Sequence, residues 1–162
     1  MSFFNKNRKN KDFKFNKNIE LYDDEIFLFL RETVDADETK GFVPSYLFDI
    51  CSIRTDDVYG RCDLRVGYNE QIYHGGNIGY SVYEPFRGRR YALKACNLLL
   101  ELAKFHQMKR LIITCNPENI ASRRTCELFG AVYIETIELP EHSVMYKAGD
   151  RYKFIYEKSI EY

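Results

Sequence analysis

The sequence predicts an α/β domain: a mixed, mostly antiparallel sheet with one central β-α-β unit and helices on both faces. Three observations carry that prediction. Ile78, Tyr80 and Val82 alternate as in a strand, Pro85 ends it, and a long helical stripe then leads into the uninterrupted apolar run 111–113. A strand, a helix and a second strand in that order make a right-handed crossover, so the two strands are expected to lie parallel. On either side of this unit, segments rich in β-branched and aromatic residues are separated by polar turns, the pattern of antiparallel neighbours. Finally, 162 residues suffice for one hydrophobic core, so residues 13–162 are expected to form a single domain behind a flexible basic tail at 1–12.

Taken in order, residues 13–21 read as a first strand. Residues 23–34 read as a helix: Asp23 and Asp24 suit a helix N-terminus, and Ile26, Phe27, Leu30 and Val34 form a helical stripe. Residues 35–41 are polar and acidic, as in a loop whose carboxylates could attract a cationic amine. Pro44 opens a short apolar segment at 45–50, counted as a short helix, and from about Leu47 the pattern turns to strands. Residues 46–53 and 58–68 form a hairpin around Asp56-Asp57. A connection at 69–77, with Gly75-Gly76 near its end, leads to the strand Ile78–Val82. The central helix covers 90–106, with Ala92, Ala95, Cys96, Leu99, Leu102 and Ala103 on its apolar face. The strand Arg110–Cys115 follows, then a turn through Asn116-Pro117-Glu118-Asn119, a helix at Ile120–Phe129 closed by Gly130, and a strand at 131–139. A polar loop at 140–150 and a last strand at 151–158 complete the chain.

Lysine and arginine balance aspartate and glutamate at 24 each, so no global charge argues for nucleic acid or an acidic membrane. Phenylalanines interleave with basic residues in the first eighteen positions, a pattern able to stack on single strands. On a neutral chain this short stretch is read as a frayed tail, and no nucleic-acid partner is expected. Cys51, Cys62, Cys96, Cys115 and Cys126 are odd in number and contain no C-x-x-C pair. They read as reduced thiols in a cytoplasmic protein, with no disulfide framework and no metal site. No apolar run approaches the roughly 20 residues of a membrane span, and no apolar segment follows the charged N-terminus as in a signal peptide. Self-association into a homodimer is compatible with the sequence.

The chemistry concentrates at 78–92. There a strand feeds the turn Arg87-Gly88-Arg89-Arg90, and a helix begins at Tyr91. The free N–H groups of a first helical turn, its dipole and the arginines together make an anion site suited to phosphate. Arg90 is expected to take an ordinary negative φ, because it carries a side chain.

This stretch resembles the (Gln/Arg)-x-x-Gly-x-(Gly/Ala) motif of the GNAT superfamily of N-acetyltransferases, with Arg87 at its first position, Ala92 at its last and Arg90 where the central glycine is usual. Downstream, Ile112-Ile113-Thr114-Cys115, Asn119-Ile120-Ala121-Ser122 and Phe129-Gly130 resemble a second conserved region of that superfamily. The run Gly75-Gly76-Asn77-Ile78-Gly79-Tyr80 is similar to a group of bacterial predicted acetyltransferases that carry His where this chain has Asn77. The resemblance covers residues 58–158 well and the first fifty loosely. It implies a GNAT-like fold and transfer of an acetyl group from acetyl-CoA to a primary amine of a small molecule or peptide. It also implies a coenzyme A site formed by Tyr80, Ser81, Val82, Arg87, Gly88, Arg89, Arg90, Tyr91, Ala92 and Asn119, with the pantetheine arm in a gap beside the fourth strand. Many relatives place a tyrosine acid four residues before the closing glycine, where this chain has Cys126.

Such a reaction needs a base, an oxyanion donor and a stabilised thiolate. Glu84 is the candidate base, the N–H of Ser81 or Val82 the candidate oxyanion donor, and Cys126 the candidate acid. A thiolate is already a good leaving group, so a missing tyrosine need not abolish the reaction. A non-catalytic acyl-CoA-binding or sensing domain is the alternative.

Overall fold

The computed structural model describes residues 13–162; the basic tail expected at 1–12 lies outside them. Strands β1 (Ile26–Val34), β2 (Ser45–Ser52), β3 (Val58–Arg65) and β4 (Ile78–Val82) form a four-stranded antiparallel sheet in the order β1-β2-β3-β4. Strands β5 (Arg110–Cys115), β6 (Val132–Glu138) and β7 (Tyr152–Ser159) form a second antiparallel sheet in the order β5-β7-β6. Helix α1 (Glu70–Gly75) precedes β4, α2 (Tyr91–Phe105) joins β4 to β5, α3 (Ile120–Phe129) follows β5, and the short α4 (Val144–Lys147) lies between β6 and β7.

The first fifty residues depart from the sequence reading. Residues 13–21 are irregular rather than a strand, and residues 26–34 are β1 rather than part of a helix. The run Ile26-Phe27-Leu28-Phe29-Leu30 suits either period; in the fold Ile26 and Leu28 point inward while Phe27 and Phe29 are exposed, which is a period of two. The aromatic and β-branched content of the run favours the strand. Asp23 closes a turn instead of capping a helix, its Oδ1 accepting from the Glu25 and Ile26 amides at 2.8 Å each. The apolar segment at 45–50 lies within β2, where Tyr46, Phe48 and Ile50 alternate inward, so it is not a short helix. The irregular start still packs: Phe13 stacks on His106 and Phe15 meets Tyr46 edge-on.

Helix α2 sets Ala95, Cys96, Leu99, Leu102 and Ala103 against Tyr46, Phe48, Ile50, Leu64 and Ile78 in one buried cluster. Leu111, Ile113 and Cys115 extend that cluster along β5. Ile112 is buried outside it, on the face of β5 against which α1 packs with its buried Ile72. Helices therefore cover both faces, as expected.

The crossover is present but its strands separate. Gly76 lies against Ile113, and Tyr80, four residues on, reaches Ser122 beyond the end of β5, so the two strands run the same way. Asn77, wholly buried, joins them at one point. Its N–H donates to the Ile112 carbonyl at 2.6 Å, its Oδ1 accepts from the Ile112 N–H at 2.8 Å, and its Nδ2 donates to the carbonyls of Arg65 and Gly67. Gly76 takes φ +83°, and a Cβ there would sit 3.0 Å from the Ile112 carbonyl oxygen, so the close approach needs glycine. Beyond this clip β4 belongs to one sheet and β5 to the other. The expected parallel pairing survives as direction, not as a ladder.

Candidate active site

The separation leaves the far edge of β4 open. The Arg65 amide donates to the Asn77 carbonyl and the Tyr83 amide to the Tyr59 carbonyl, each at 2.8 Å. Antiparallel alternation between those bonds turns the backbone groups of Gly79 and Ser81 toward β3 and those of Tyr80 and Val82 toward the gap. Of the two amides expected as oxyanion donors, only that of Val82 faces the gap. Arg87 folds back so that its Nε donates to the Val82 carbonyl at 2.9 Å.

A short 3-10 turn at Glu84–Phe86 carries the chain from β4 to the basic turn. Gly88 takes φ +84° with open space around it. Arg90 takes φ 63° and ψ 25°, which overturns the expectation of a negative φ. The chain must swing sharply into α2 here, and the left-handed conformation accomplishes it at a cost of about 1–2 kcal/mol for a residue with a Cβ. Arg90 is the N-cap of α2 but its side chain does not cap it. The first intrahelical bond runs from the Lys94 amide to the Arg90 carbonyl, which leaves the amides of Tyr91, Ala92 and Leu93 as free donors. Tyr91 anchors this end by stacking on Tyr59, with centroids 4.0 Å apart and planes at 5°.

These pieces border one cavity of about 550 Å³. Every residue expected to bind the cofactor lines it: Tyr80, Ser81, Val82, Arg87, Gly88, Arg89, Arg90, Tyr91, Ala92 and Asn119. The sequence reading missed Phe86, Leu93, Ser122, Arg124 and Thr125 on the same wall. Of these only Ser122 left a signal, standing three residues after Asn119 at capping spacing. Asn119 caps α3, its Oδ1 accepting from the Ser122 amide at 3.0 Å, so that oxygen is already engaged. Arg87, Arg89, Arg90 and Arg124 border the cavity with no carboxylate among its lining residues, a charge pattern suited to a polyphosphate.

The two expected catalytic residues lie off this wall. Glu84 sits in the 3-10 turn past the end of β4 and is exposed. Cys126 is wholly buried beneath the cavity. A hydrogen bond with Cys115, aided by burial, pushes its thiol well above the ordinary range. Tyr80 is in contact with both the cavity and Cys126. Its hydroxyl lies 2.7 Å from Ser122 Oγ, and burial holds it well above an ordinary phenol. A hydroxyl pair, Tyr80 and Ser122, thus borders the cavity where a thiol was expected.

Comparisons with known proteins bear on the family and the fold. A family model described as an acetyltransferase (GNAT) domain matches residues 8–132. Among solved structures, the microcin C7 self-immunity acetyltransferase MccE, in complex with acetyl-CoA and AMP, is 19% identical with a TM-score of 0.58, over 72% of this chain and 61% of that one. An acetyltransferase from Salmonella typhimurium that modifies the N-terminal serine of the ribosomal protein L7/L12 is 18% identical, with a TM-score of 0.56 over 76% and 67%. RimL, a ribosomal L7/L12 α-N-protein acetyltransferase in complex with coenzyme A, is 14% identical, with a TM-score of 0.64 over 88% and 98%. The chain thus spans 61% of the length of the first of these structures and nearly all of the last. A comparison with curated protein sequences found no match.

Proposed function

The chain belongs to the GNAT acetyltransferase family, and from that premise we propose that it transfers an acetyl group from acetyl-CoA to a primary amine. The observation that carries the proposal is the open edge of β4 running directly into the uncapped N-terminus of α2. The pyrophosphate sits on the amides of Tyr91, Ala92 and Leu93 and on the turn at 87–90. The pantetheine arm pairs with the gap-facing backbone of Tyr80 and Val82. As the amine attacks the thioester carbonyl, the Val82 N–H stabilises the oxyanion. The Tyr80–Ser122 hydroxyl pair faces the departing sulfur, and Cys126 stands behind Tyr80 rather than at the reacting atoms. Glu84 is solvated beyond the strand end, and we assign it no proton transfer.

The acceptor is an amine of a small molecule or a peptide. Solved relatives that modify protein N-termini make peptides with a free α-amine the first acceptors to try. Strand β6, an edge of its sheet with Val132, Tyr133 and Ile134 exposed, supports pairing with a second copy of the chain. Light scattering on the eluted protein measures that directly. The five cysteines are all free, which supports a reducing, cytoplasmic setting. Among the described residues no helix is long and apolar enough to cross a membrane.

The test is release of coenzyme A from acetyl-CoA in the presence of an amine and peptide panel. Turnover with any member supports the proposal. Firm coenzyme A binding without turnover across the panel would favour a sensing domain instead.

A further inference from the structure

The sheet face opposite α2 carries chemistry that the coenzyme site does not use. On that face lie Leu47 of β2, Arg61, Asp63 and Arg65 of β3, and Gly79 and Ser81 of β4. Two hollows, of about 410 and 270 Å³, open on it and share Leu47 and Asp63. The smaller also shares Tyr80 and Ser81 with the coenzyme cavity. A path therefore leads from Asp63 to the open edge of β4.

Asp63 is held in place there. Arg65 Nε binds its Oδ2 at 2.9 Å, and Arg65 is itself fixed by donating to the carbonyls of Gly75 and Gly76 at 3.0 and 3.1 Å. Asp63 Oδ1 accepts no hydrogen bond from the described residues. That oxygen lies over Gly79, where an added Cβ would come within 2.4 Å of it. Gly79 thus allows the carboxylate to rest on the backbone of β4, one residue before Tyr80.

We propose that this groove receives the acceptor amine and that Asp63 is the base that takes its proton, with Arg65 as its positioning residue. This rests on the acetyltransferase reading. The amine nitrogen attacks the acetyl carbonyl and forms the C–N bond. Asp63 takes one proton from the nitrogen, which is cationic in the tetrahedral adduct. The C–S bond breaks with its electron pair on sulfur, the thiolate takes a proton from solvent, and Asp63 later returns its own proton to solvent. The products are the amide and free coenzyme A, and the atoms balance.

The charged groups facing Asp63 are Arg65 and Arg61 on its own strand, Asp49 on β2 and Arg31 on β1; β4 brings Gly79, Ser81 and the titratable Tyr80, and α1 brings Gln71 and Ile72. Burial raises the Asp63 carboxyl above its ordinary value and Arg65 offsets part of that rise. A raised carboxyl is a stronger base when ionised, and the rate should fall as pH drops through its pKa.

The experiment compares wild type, Asp63→Asn, Asp63→Glu and Gly79→Ala by coenzyme A release from acetyl-CoA. Acceptor probes are tripeptide amides with free N-termini, spermidine and n-butylamine. Asp63→Asn should slow turnover by roughly 100-fold or more, the usual range for a lost general base, and should lose the acidic limb of the pH profile. Asp63→Glu should recover part of the rate and restore that limb. Gly79→Ala should also slow turnover, because its Cβ displaces the carboxylate. The rise in melting temperature with coenzyme A should persist in Asp63→Asn. Wild-type rate and pH profile in Asp63→Asn would overturn the proposal, as would loss of the coenzyme A response, which would make Asp63 structural. A wild type that binds coenzyme A but turns over none of the probes would overturn both this inference and the reading beneath it.

Discussion

The two ends of β4 make opposite use of the same backbone. At its start, Asn77 ties the chain to β5 through its amide and its side-chain oxygen, and to the last residue of β3 and the stretch after it through its Nδ2. At its end, Tyr80 and Val82 direct their backbone groups into a gap, toward free helix amides and a ring of arginines. A buried polar group must find partners, whereas an open edge costs little while solvent or a ligand can satisfy it. One asparagine at the closed end therefore ties the start of β4 to β5 while the other end parts. If the opening holds the coenzyme as proposed, stability is concentrated at the clip and binding at the opening, and substitutions should separate the two properties.

The largest effect should come from Asn77→Ala. It strands the buried Ile112 amide and two part-buried carbonyls, at about 1–3 kcal/mol for each group left unsatisfied away from water. Urea unfolding should show a total loss of roughly 3 kcal/mol or more, with weaker coenzyme A binding as the gap loses its hinge. Next is Cys126→Tyr. Cys126 is wholly buried, so a ring there should overpack and destabilise by about 1–3 kcal/mol. Cys126→Ala should slow turnover tenfold or less, because the thiol lies behind Tyr80; a full loss of rate at unchanged melting temperature would make it a catalyst.

Arg90→Gly should act in the opposite sense on stability. It relieves a left-handed φ and should gain about 1 kcal/mol, while removing a guanidinium from the cavity weakens coenzyme A. Comparing coenzyme A with its dephospho form then tells which phosphate Arg90 meets: a selective loss marks the 3′-phosphate and an equal loss the pyrophosphate.

The smallest effect serves as a control away from the gap. Burial opposes ionisation of Asp23, but the Ile26 and Glu25 amides and Lys94 outweigh it, so its folded pKa lies below the ordinary 3.8. A lowered folded pKa contributes stability above the unfolded value and loses it as pH falls through the folded one. Asp23→Ala should cost about 1 kcal/mol at neutral pH, as for a lost cap, and should lose less stability than wild type on acidification below about pH 4. Coenzyme A binding should not change.

The sequence made the second half of this arrangement legible and the first half much less so. From Val58 onward the longer strands and helices differ clearly in period, and turn residues punctuate them: Pro85 after β4, Asn119 before α3 and Gly130 after it. The short helices α1 (Glu70–Gly75) and α4 (Val144–Lys147) fall where the sequence reads as a connection and a loop, because so few turns show no period. In β1 the run Ile26-Phe27-Leu28-Phe29-Leu30 satisfies both periods, and only its partner β2, distant in sequence, decides between them. The cavity wall at 87–92 was readable because a turn and a helix start are local features. Ser122, Arg124 and the Tyr80 hydroxyl were not, because they reach the cavity across the fold. The φ of Arg90 was misread because a side chain argues against the left-handed region, while the geometry of the turn demands it. Asp63 left no local sign, since its setting depends on Arg65 and on a glycine of the neighbouring strand.

The central claim is that the open end of β4 and the turn behind it hold the coenzyme, and the melting temperature of wild type and Gly88→Pro with and without millimolar coenzyme A tests it most directly. Gly88 takes φ +84°, which proline cannot adopt, and has no neighbour to disturb. The account predicts a rise of several degrees in wild type, about 2–4 °C for each kcal/mol of binding linkage, and none in the variant relative to its own baseline. No rise in wild type, or an equal rise in both proteins, would contradict it.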